Sequence, residues 1–98
     1  MSTLANTNIR LSAHRALLGA ISSTLRAVSI EVSSQIIRIR NIFDDGCTES
    51  EKELLSAVGA EIASDFPEVH KIEEEFLVIP KHEPMQHFEN LVFLRYEP

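Results

Sequence analysis

The sequence of residues 25–43 is LRAVSIEVSSQIIRIRNIF, and its apolar side chains alternate with polar ones in two successive runs. A period of two places the apolar residues of a β-strand on one face and the polar residues on the other. The first run covers Leu25–Val32 and the second covers Gln35–Phe43, with Ser33-Ser34 between them. We therefore predict a β-hairpin with one apolar face, although the Asn-Gly pair typical of short hairpin turns is missing.

The segment after the hairpin carries the signals of a helix start and a helix end. Asp44-Asp45-Gly46 interrupts the strand. Thr48-Glu49-Ser50-Glu51 then matches a capping box, in which the Thr hydroxyl and the Glu carboxylate bind backbone N–H groups of the first turn. Apolar residues recur at helical spacing up to Phe66, and Pro67 disfavours helical geometry at the residue before it. These signals predict a second helix that begins at Thr48 and ends before Pro67.

A first helix is predicted over Leu11–Ile21. Its marker residues recur at spacings of three and four and so share one face: Leu11, His14, Leu17, Leu18 and Ile21. We expect this face to be buried, with His14 as a hydrogen-bonded core histidine, and we expect Asn8 or Ser12 to cap the helix. Residues 1–8 are mostly polar, and we expect a disordered N-terminus there.

The remainder of the chain predicts two more strands joined by a long loop. Val69–Ile79 is rich in β-forming residues, but Glu74 falls on its apolar face, which indicates a bulge or an edge position. Residues 80–90 contain two prolines and form the loop, and Leu91–Tyr96 is the last strand. The element order is then α-β-β-α-β-β. Because two amphipathic helices are best buried on one face of a sheet, we predict an α+β two-layer sandwich with a four-stranded antiparallel sheet, formed by residues 1–98 as a single domain.

The composition is that of an ordinary globular domain, with 44% hydrophobic and 24% charged residues. Cys47 is the only cysteine, so the fold needs no internal disulfide and no oxidising compartment. No apolar run approaches the roughly 20 residues that span a bilayer. The N-terminus also lacks the features of a secretory signal. We expect a cytoplasmic protein that has no membrane partner.

Motifs for catalysis or cofactor binding are missing from the sequence. His82 and His87 lie near acidic residues, but their spacing matches no zinc or iron motif, and we interpret them as exposed loop histidines. Cys47 is not part of a Cys-His signature, and the three glycines are too scattered for a phosphate-binding loop. We therefore predict that the protein is not an enzyme and that it uses no metal and no cofactor.

Charge is divided unevenly along the chain. Residues 1–46 carry five Arg against three acidic residues, a net charge of +2, whereas residues 47–98 carry four Lys or Arg against twelve Asp or Glu, a net charge of −8. A field of one sign attracts oppositely charged partners and repels nucleic acid. We predict that the acidic half binds a protein partner through Glu49, Glu51, Glu53, Asp65, Glu73, Glu75, Glu83 and Glu89. The alternative is a solvated surface, since acidic residues also stabilise helix N-termini and protect edge strands from aggregation.

The basic residues of the second strand do not predict nucleic-acid binding. Arg38 and Arg40 have no interleaved aromatic residues, and the chain as a whole is negatively charged. We interpret both as cross-strand partners of Glu31 or of Glu73 and Glu75.

Several segments resemble a family of small bacterial proteins, some of which are immunity proteins of contact-dependent growth inhibition. These segments are RLSAHRALLGAI (residues 10–21), LRAVS (25–29), SDFP (64–67) and EEEF (73–76). In such systems a neighbouring cell delivers a toxin domain, often a nuclease, and the immunity protein binds it and blocks its active site or substrate path. The resemblance thus implies an immunity protein whose partner is a basic toxin domain. The alternative is a structural or oligomeric accessory protein that pairs with a second copy as a homodimer.

Overall fold

The computed structural model describes residues 3–98, and the side chains of residues 7–98. Its elements follow the predicted order of helix, strand, strand, helix, strand and strand. Their bounds are α1 Thr3–Ala16, β1 Leu25–Ser33, β2 Ile36–Phe43, α2 Glu49–Ser64, β3 Lys71–Val78 and β4 Asn90–Leu94. Buried residues of both helices join those of β1 and β2 in one hydrophobic core, so the predicted two-layer α+β architecture is confirmed.

The four strands form one sheet in the order β3-β2-β1-β4. β1 is antiparallel to both β2 and β4, whereas β2 and β3 are parallel. The predicted fully antiparallel sheet is therefore wrong, and the sheet is mixed. The cause is α2, which joins β2 to β3 and carries the chain back to the end of the sheet where β2 begins, as a helical crossover between parallel strands does.

The first two strands form the predicted hairpin. Their register pairs Ile30 with Ile39, and both side chains are buried in the core. The turn residues are Ser34 and Gln35, one position later than the expected Ser33-Ser34. Ser34 has a φ of 53°, a left-handed conformation that suits the twist of a short hairpin and is most often adopted by Asn or Gly.

The bounds of α1 differ from the prediction. The helix begins at Thr3, within the segment 1–8 where disorder was expected, and residues 1 and 2 lie outside the described residues. Asn8 and Ser12, the expected caps, therefore lie inside the helix. It ends at Ala16, and the turn after it contains Gly19 with a φ of 79°.

The buried face of α1 and of the turn after it consists mainly of small residues: Ile9, Ser12, Ala13, Ala16, Leu17 and Ala20. These residues also recur at spacings of three and four, so the sequence offers two competing helical faces. Of the five side chains predicted to be buried, Leu17 is buried, whereas His14 is exposed and is not a core histidine. The small face is the buried one because alanines let a helix approach its neighbours closely without voids.

The start of α2 confirms the predicted cap. Thr48 is the N-cap, and its hydroxyl accepts the backbone N–H of Glu51 at 3.2 Å. The helix ends at Ser64, with Asp65 as the C-cap. Its buried residues face the sheet and are Leu55, Val58, Gly59 and Ile62.

Glu74 lies on the helix-facing side of β3, which is an edge strand as predicted for this segment. Ser56 Oγ of α2 donates a hydrogen bond to Glu74 Oε2 at 3.1 Å. A Cβ atom at Gly59 would collide with the same carboxylate. The glycine therefore provides the space in which a charged side chain can lie between α2 and β3.

Residues 79–89, which connect β3 to β4, cover part of the sheet face that has no helices. The backbone N–H of Phe88 donates to Ser29 Oγ at 2.9 Å, and Arg40 donates to the Gln86 carbonyl at 3.0 Å. The Arg40 guanidinium also lies 4.1 Å from the centroid of the Phe88 ring. The predicted long loop thus packs on the second face, which the sequence analysis had left open.

Candidate functional site

Glu73 and Glu75 lie on the second face of the sheet, where their charges are neutralised within the fold. Arg38 Nε is 2.7 Å from Glu73, and Arg40 Nε is 2.6 Å from Glu75. Arg38 also binds Glu31 at 3.1 Å. The predicted cross-strand pairing of the two arginines is therefore confirmed. The carboxylates of these two glutamates form ion pairs that stabilise the sheet. They are therefore less available to a binding partner.

Glu51 and Asp65 connect the two helical segments. Glu51 accepts hydrogen bonds from the hydroxyls of Ser22, at 2.9 Å, and Thr24. Together these hydroxyls lower the pKa of Glu51, with Thr24 as the larger cause. Asp65 accepts a hydrogen bond from Ser12 Oγ at 2.7 Å. Both carboxylates thus hold α2 against α1 and the turn after it.

The other four predicted acids are exposed and lie in two places. Glu49 and Glu53 are at the start of α2, whereas Glu83 and Glu89 are in the long loop. The Glu49 side chain is 84% exposed and lies 3.5 Å from Lys52. Within residues 7–98, the carboxylates of Glu53 and Glu89 form no hydrogen bond or ion pair, and that of Glu83 interacts with Arg26 only through the attraction of opposite charges. The structure therefore does not gather the eight acids into one patch.

Arg26 is the centre of a buried charge cluster that the sequence analysis did not identify. It is 3% exposed and donates two hydrogen bonds of 2.8 Å to the Glu97 carboxylate. Its Nη1 donates to the carbonyls of Ile79, Pro80 and Glu83 at 2.8, 3.2 and 3.3 Å. One side chain thus fixes both the start of the long loop and the C-terminal segment. In the sequence, Arg26 stands between the apolar residues Leu25 and Ala27, and this position was the signal for a buried cation.

Arg95 extends this cluster to the end of β2. It donates to Asp44 at 2.9 Å and to Glu97 at 2.9 Å. The pKa of Asp44 is lowered to about 2, mainly by the backbone N–H of Lys81 and then by Arg95. The pKa of Glu97 is also lowered to about 2, mainly by its hydrogen bonds from Arg26.

The histidines of the long loop and Cys47 lie apart from these charges. His82 is exposed, and His87 is half-buried with an Nδ1 atom that has no hydrogen-bond partner among the described residues. The half-buried Cys47 packs against the core. Among residues 3–98, no three His, Cys, Asp or Glu side chains are grouped to hold a metal ion.

Large exposed apolar side chains form two groups, neither of which the sequence analysis identified. The first lies on the helical layer and consists of Leu11, Leu18, Ile21 and Leu54. The second is divided between the two edge strands of the sheet: Leu77 and Val78 end β3, whereas Leu94 ends β4 and Tyr96 follows it. Exposed apolar groups of this kind are typical of protein–protein contact surfaces.

Comparison with known families gives a match over almost the whole chain. The model of the MafI2 immunity protein family matches residues 6–97. The chain belongs to the MafI2 immunity protein family. Membership confirms the predicted class, a bacterial immunity protein, and implies a protein toxin as the partner. It does not confirm contact-dependent growth inhibition, because Maf is a related but distinct system. None of the curated proteins matches the chain.

Immunity proteins such as those of the MafI2 family are generally non-catalytic. In residues 3–98, neither helix is long and apolar enough to cross a membrane.

Proposed function

We propose that this protein neutralises a toxin domain by binding it and covering its active site or substrate path, without catalysis. Membership in the MafI2 immunity protein family is the observation that carries the proposal. The net charge of −6 supports it, because a negatively charged inhibitor attracts a basic target and repels nucleic acid.

We propose further that the toxin is a nuclease delivered by a neighbouring cell, and that neutralisation occurs in the cytoplasm. A nuclease domain binds a polyanion and therefore carries basic residues around its active site. Complementary fields raise association rates toward 10⁸ to 10⁹ M⁻¹s⁻¹ and favour the correct partner. An acidic protein would thus reach and occlude such a domain quickly.

The eight acids are proposed to take two different parts in binding. Glu49 and Glu53 are exposed at the start of α2 and contact the toxin directly, whereas the exposed Glu83 and Glu89 of the long loop contribute to the field around the protein. Glu51, Asp65, Glu73 and Glu75 have partners within the fold and contribute mainly to the field around it.

The experiment is capture of the toxin domain encoded immediately upstream of this gene, in a catalytically inactive form, by the tagged protein at low and high salt. Capture that weakens with salt, together with survival of cells that express the active toxin with this protein, is the expected result. If the toxin domain fails to bind at either salt concentration and cells are not protected, the proposal is wrong.

A homo-oligomeric accessory role is the second candidate, favoured by the edge strand β3. Leu77 and Val78 are 36% and 47% exposed at the end of this strand. Exposed apolar edge strands readily pair with a second chain. Sedimentation that depends on protein concentration, combined with failure to protect cells from the toxin, would favour this role.

A further inference from the structure

We propose that the toxin docks on the outer surface of the helical layer, through an apolar centre bordered by acidic residues. The inference rests on the proposed function and specifies the surface that performs it. We call this surface the helical face and define it by Leu11, Leu18, Glu53, Leu54, Ala57 and Glu61, all of which are exposed.

Contacts on the two sides of α1 determine which residues point away from the sheet. Arg10 Nε donates to a side-chain oxygen of β4 at 3.0 Å, and Ser12 Oγ donates to the C-cap carboxylate of α2 at 2.7 Å. Leu11 lies between these two directions. Leu18 lies in the turn after α1, where its backbone N–H donates to the Arg15 carbonyl at 3.2 Å. The two leucines are accordingly 57% and 80% exposed.

Contacts on the two sides of α2 likewise determine which of its residues point away from the sheet. Glu51 accepts from Ser22 on the side of α1, at 2.9 Å, whereas Ser56 donates toward β3 on the opposite side, at 3.1 Å. Leu55 and its helical neighbours face the sheet. The remaining direction is outward and contains Glu53, Leu54, Ala57 and Glu61, with Leu54 42% exposed.

Two large apolar side chains of the first helical segment point to solvent, although smaller apolar ones of the same segment are buried. The buried face of α1 includes Ala13 and Ala16, whereas Leu11 and Leu18 are exposed. In the monomer the exposed leucines contribute little hydrophobic stabilisation, because that stabilisation is proportional to the apolar area removed from water. A partner that covers the leucines gains that stabilisation on binding instead.

Charge complementarity indicates which partner covers this face. The carboxylates of Glu53 and Glu61 are exposed and form no ion pair within the described part of the chain. By contrast, the exposed Arg15 of α1 is paired with Asp65 at 3.6 Å. Glu53 and Glu61 lie on the same helix face as Leu54, so the matching surface has an apolar side chain flanked by Lys or Arg. A basic toxin domain has that chemistry.

A second copy of this chain fits the helical face less well. A dimer through this face would gather four carboxylates, Glu53 and Glu61 of each copy, in one interface, and like charges in one interface oppose association. The net charge of −6 per chain adds to the repulsion. The observations therefore favour the toxin over a homodimer at this surface.

The test compares matched variants by the dissociation constant for the inactive toxin domain encoded upstream. Leu18→Gln removes an exposed leucine of the helical face, and Leu94→Gln removes one that is 54% exposed on β4. We expect Leu18→Gln to weaken binding about tenfold or more, as truncation of a central interface residue does, and Leu94→Gln to leave it unchanged. Both leucines are exposed, so circular dichroism should show an unaltered fold.

A second pair of double variants tests the charges, and both double variants make the same change in net charge. Glu53→Gln with Glu61→Gln should slow association and reduce its dependence on salt, whereas Glu83→Gln with Glu89→Gln should have the smaller effect. If both double variants weaken toxin binding equally, or if only Leu94→Gln weakens it, the toxin does not dock on the helical face. The proposed toxin-binding function would still stand. If the wild-type protein is a dimer and Leu18→Gln dissociates it, the helical face binds a second copy of the chain. That result also contradicts the inference. If the wild-type protein does not bind the toxin domain, the proposed function itself is wrong.

Discussion

The guanidinium of Arg26 and the carboxylate of Glu97 form two hydrogen bonds of 2.8 Å between positions 71 residues apart in the chain. Arg26 lies where the register of β1 shifts against β2, between Leu25 and Ala27. The side chain also holds the start of the long loop through three backbone carbonyls. A single buried charge therefore joins the first strand, the loop and the C-terminal segment.

Arg26→Ala should destabilise the fold strongly. The substitution leaves the Glu97 carboxylate and three carbonyls without their donor, and breaking a buried, hydrogen-bonded charge pair costs about 3 kcal/mol. Urea unfolding should therefore show a lower midpoint. Arg38→Ala is the control, since Arg38 is 36% exposed and surface ion pairs contribute little. Equal midpoints for the two variants would show that the Arg26 cluster contributes no more than a surface pair.

Stability should decrease in acid because of Asp44 and Glu97. Both carboxylates have a pKa of about 2 in the folded chain, lowered from 3.8 and 4.5. A depressed folded pKa contributes stability that is present above the unfolded pKa and is lost as pH falls toward the folded pKa. The free energy of unfolding should therefore decrease from about pH 4.5 to about pH 2. Glu97→Gln should reduce the slope in this range, and a slope equal to that of the wild type would exclude Glu97 as a contributor.

Reversing the acids of β3 should affect folding more than reversing those of α2. Hydrogen bonds from Lys71 and then Arg38 lower the pKa of Glu73, so its charge is stabilised by the fold. Glu73→Lys with Glu75→Lys would place like charges across the sheet and should lower the melting temperature. Glu53→Lys with Glu61→Lys makes the same change in net charge on an unpaired surface and should leave the melting temperature nearly unchanged. If the two double variants melt at the same temperature, the pairs on β3 do not support the sheet.

Local signals in the sequence predicted the helices and strands. The direction of β3 and the buried face of α1 depend on long-range packing and were not predicted. The capping box at Thr48 and the alternation over residues 25–43 each act within a few residues, so α2 and the hairpin were identified correctly. The parallel pairing of β3 depends on where α2 packs, which no local pattern encodes. The buried face of α1 was missed because alanines give a weak periodic signal beside the leucines Leu11 and Leu18.

The candidate site shows the same division. The eight acids were identified by residue type, but exposure separates Glu53 from Glu73, and exposure depends on the arginines of β2. The buried cluster of Arg26 could not be predicted because its partner Glu97 is 71 residues away in the chain. The number of charged residues thus predicts the sign of the surface charge. The contacts within the fold determine which carboxylates are free to bind a partner.

Gly59 and Glu74 should be coupled in stability. In a helix interior, Gly→Ala stabilises by about 1 kcal/mol when the new methyl group has space. A Cβ at Gly59 would collide with the Glu74 carboxylate and displace it from Ser56. Gly59→Ala should therefore stabilise the Glu74→Ala variant by about 1 kcal/mol but should stabilise the wild-type protein less or destabilise it. The double-mutant cycle, measured by urea unfolding, gives this difference directly. An identical effect in both backgrounds would mean that the glycine does not serve to accommodate Glu74.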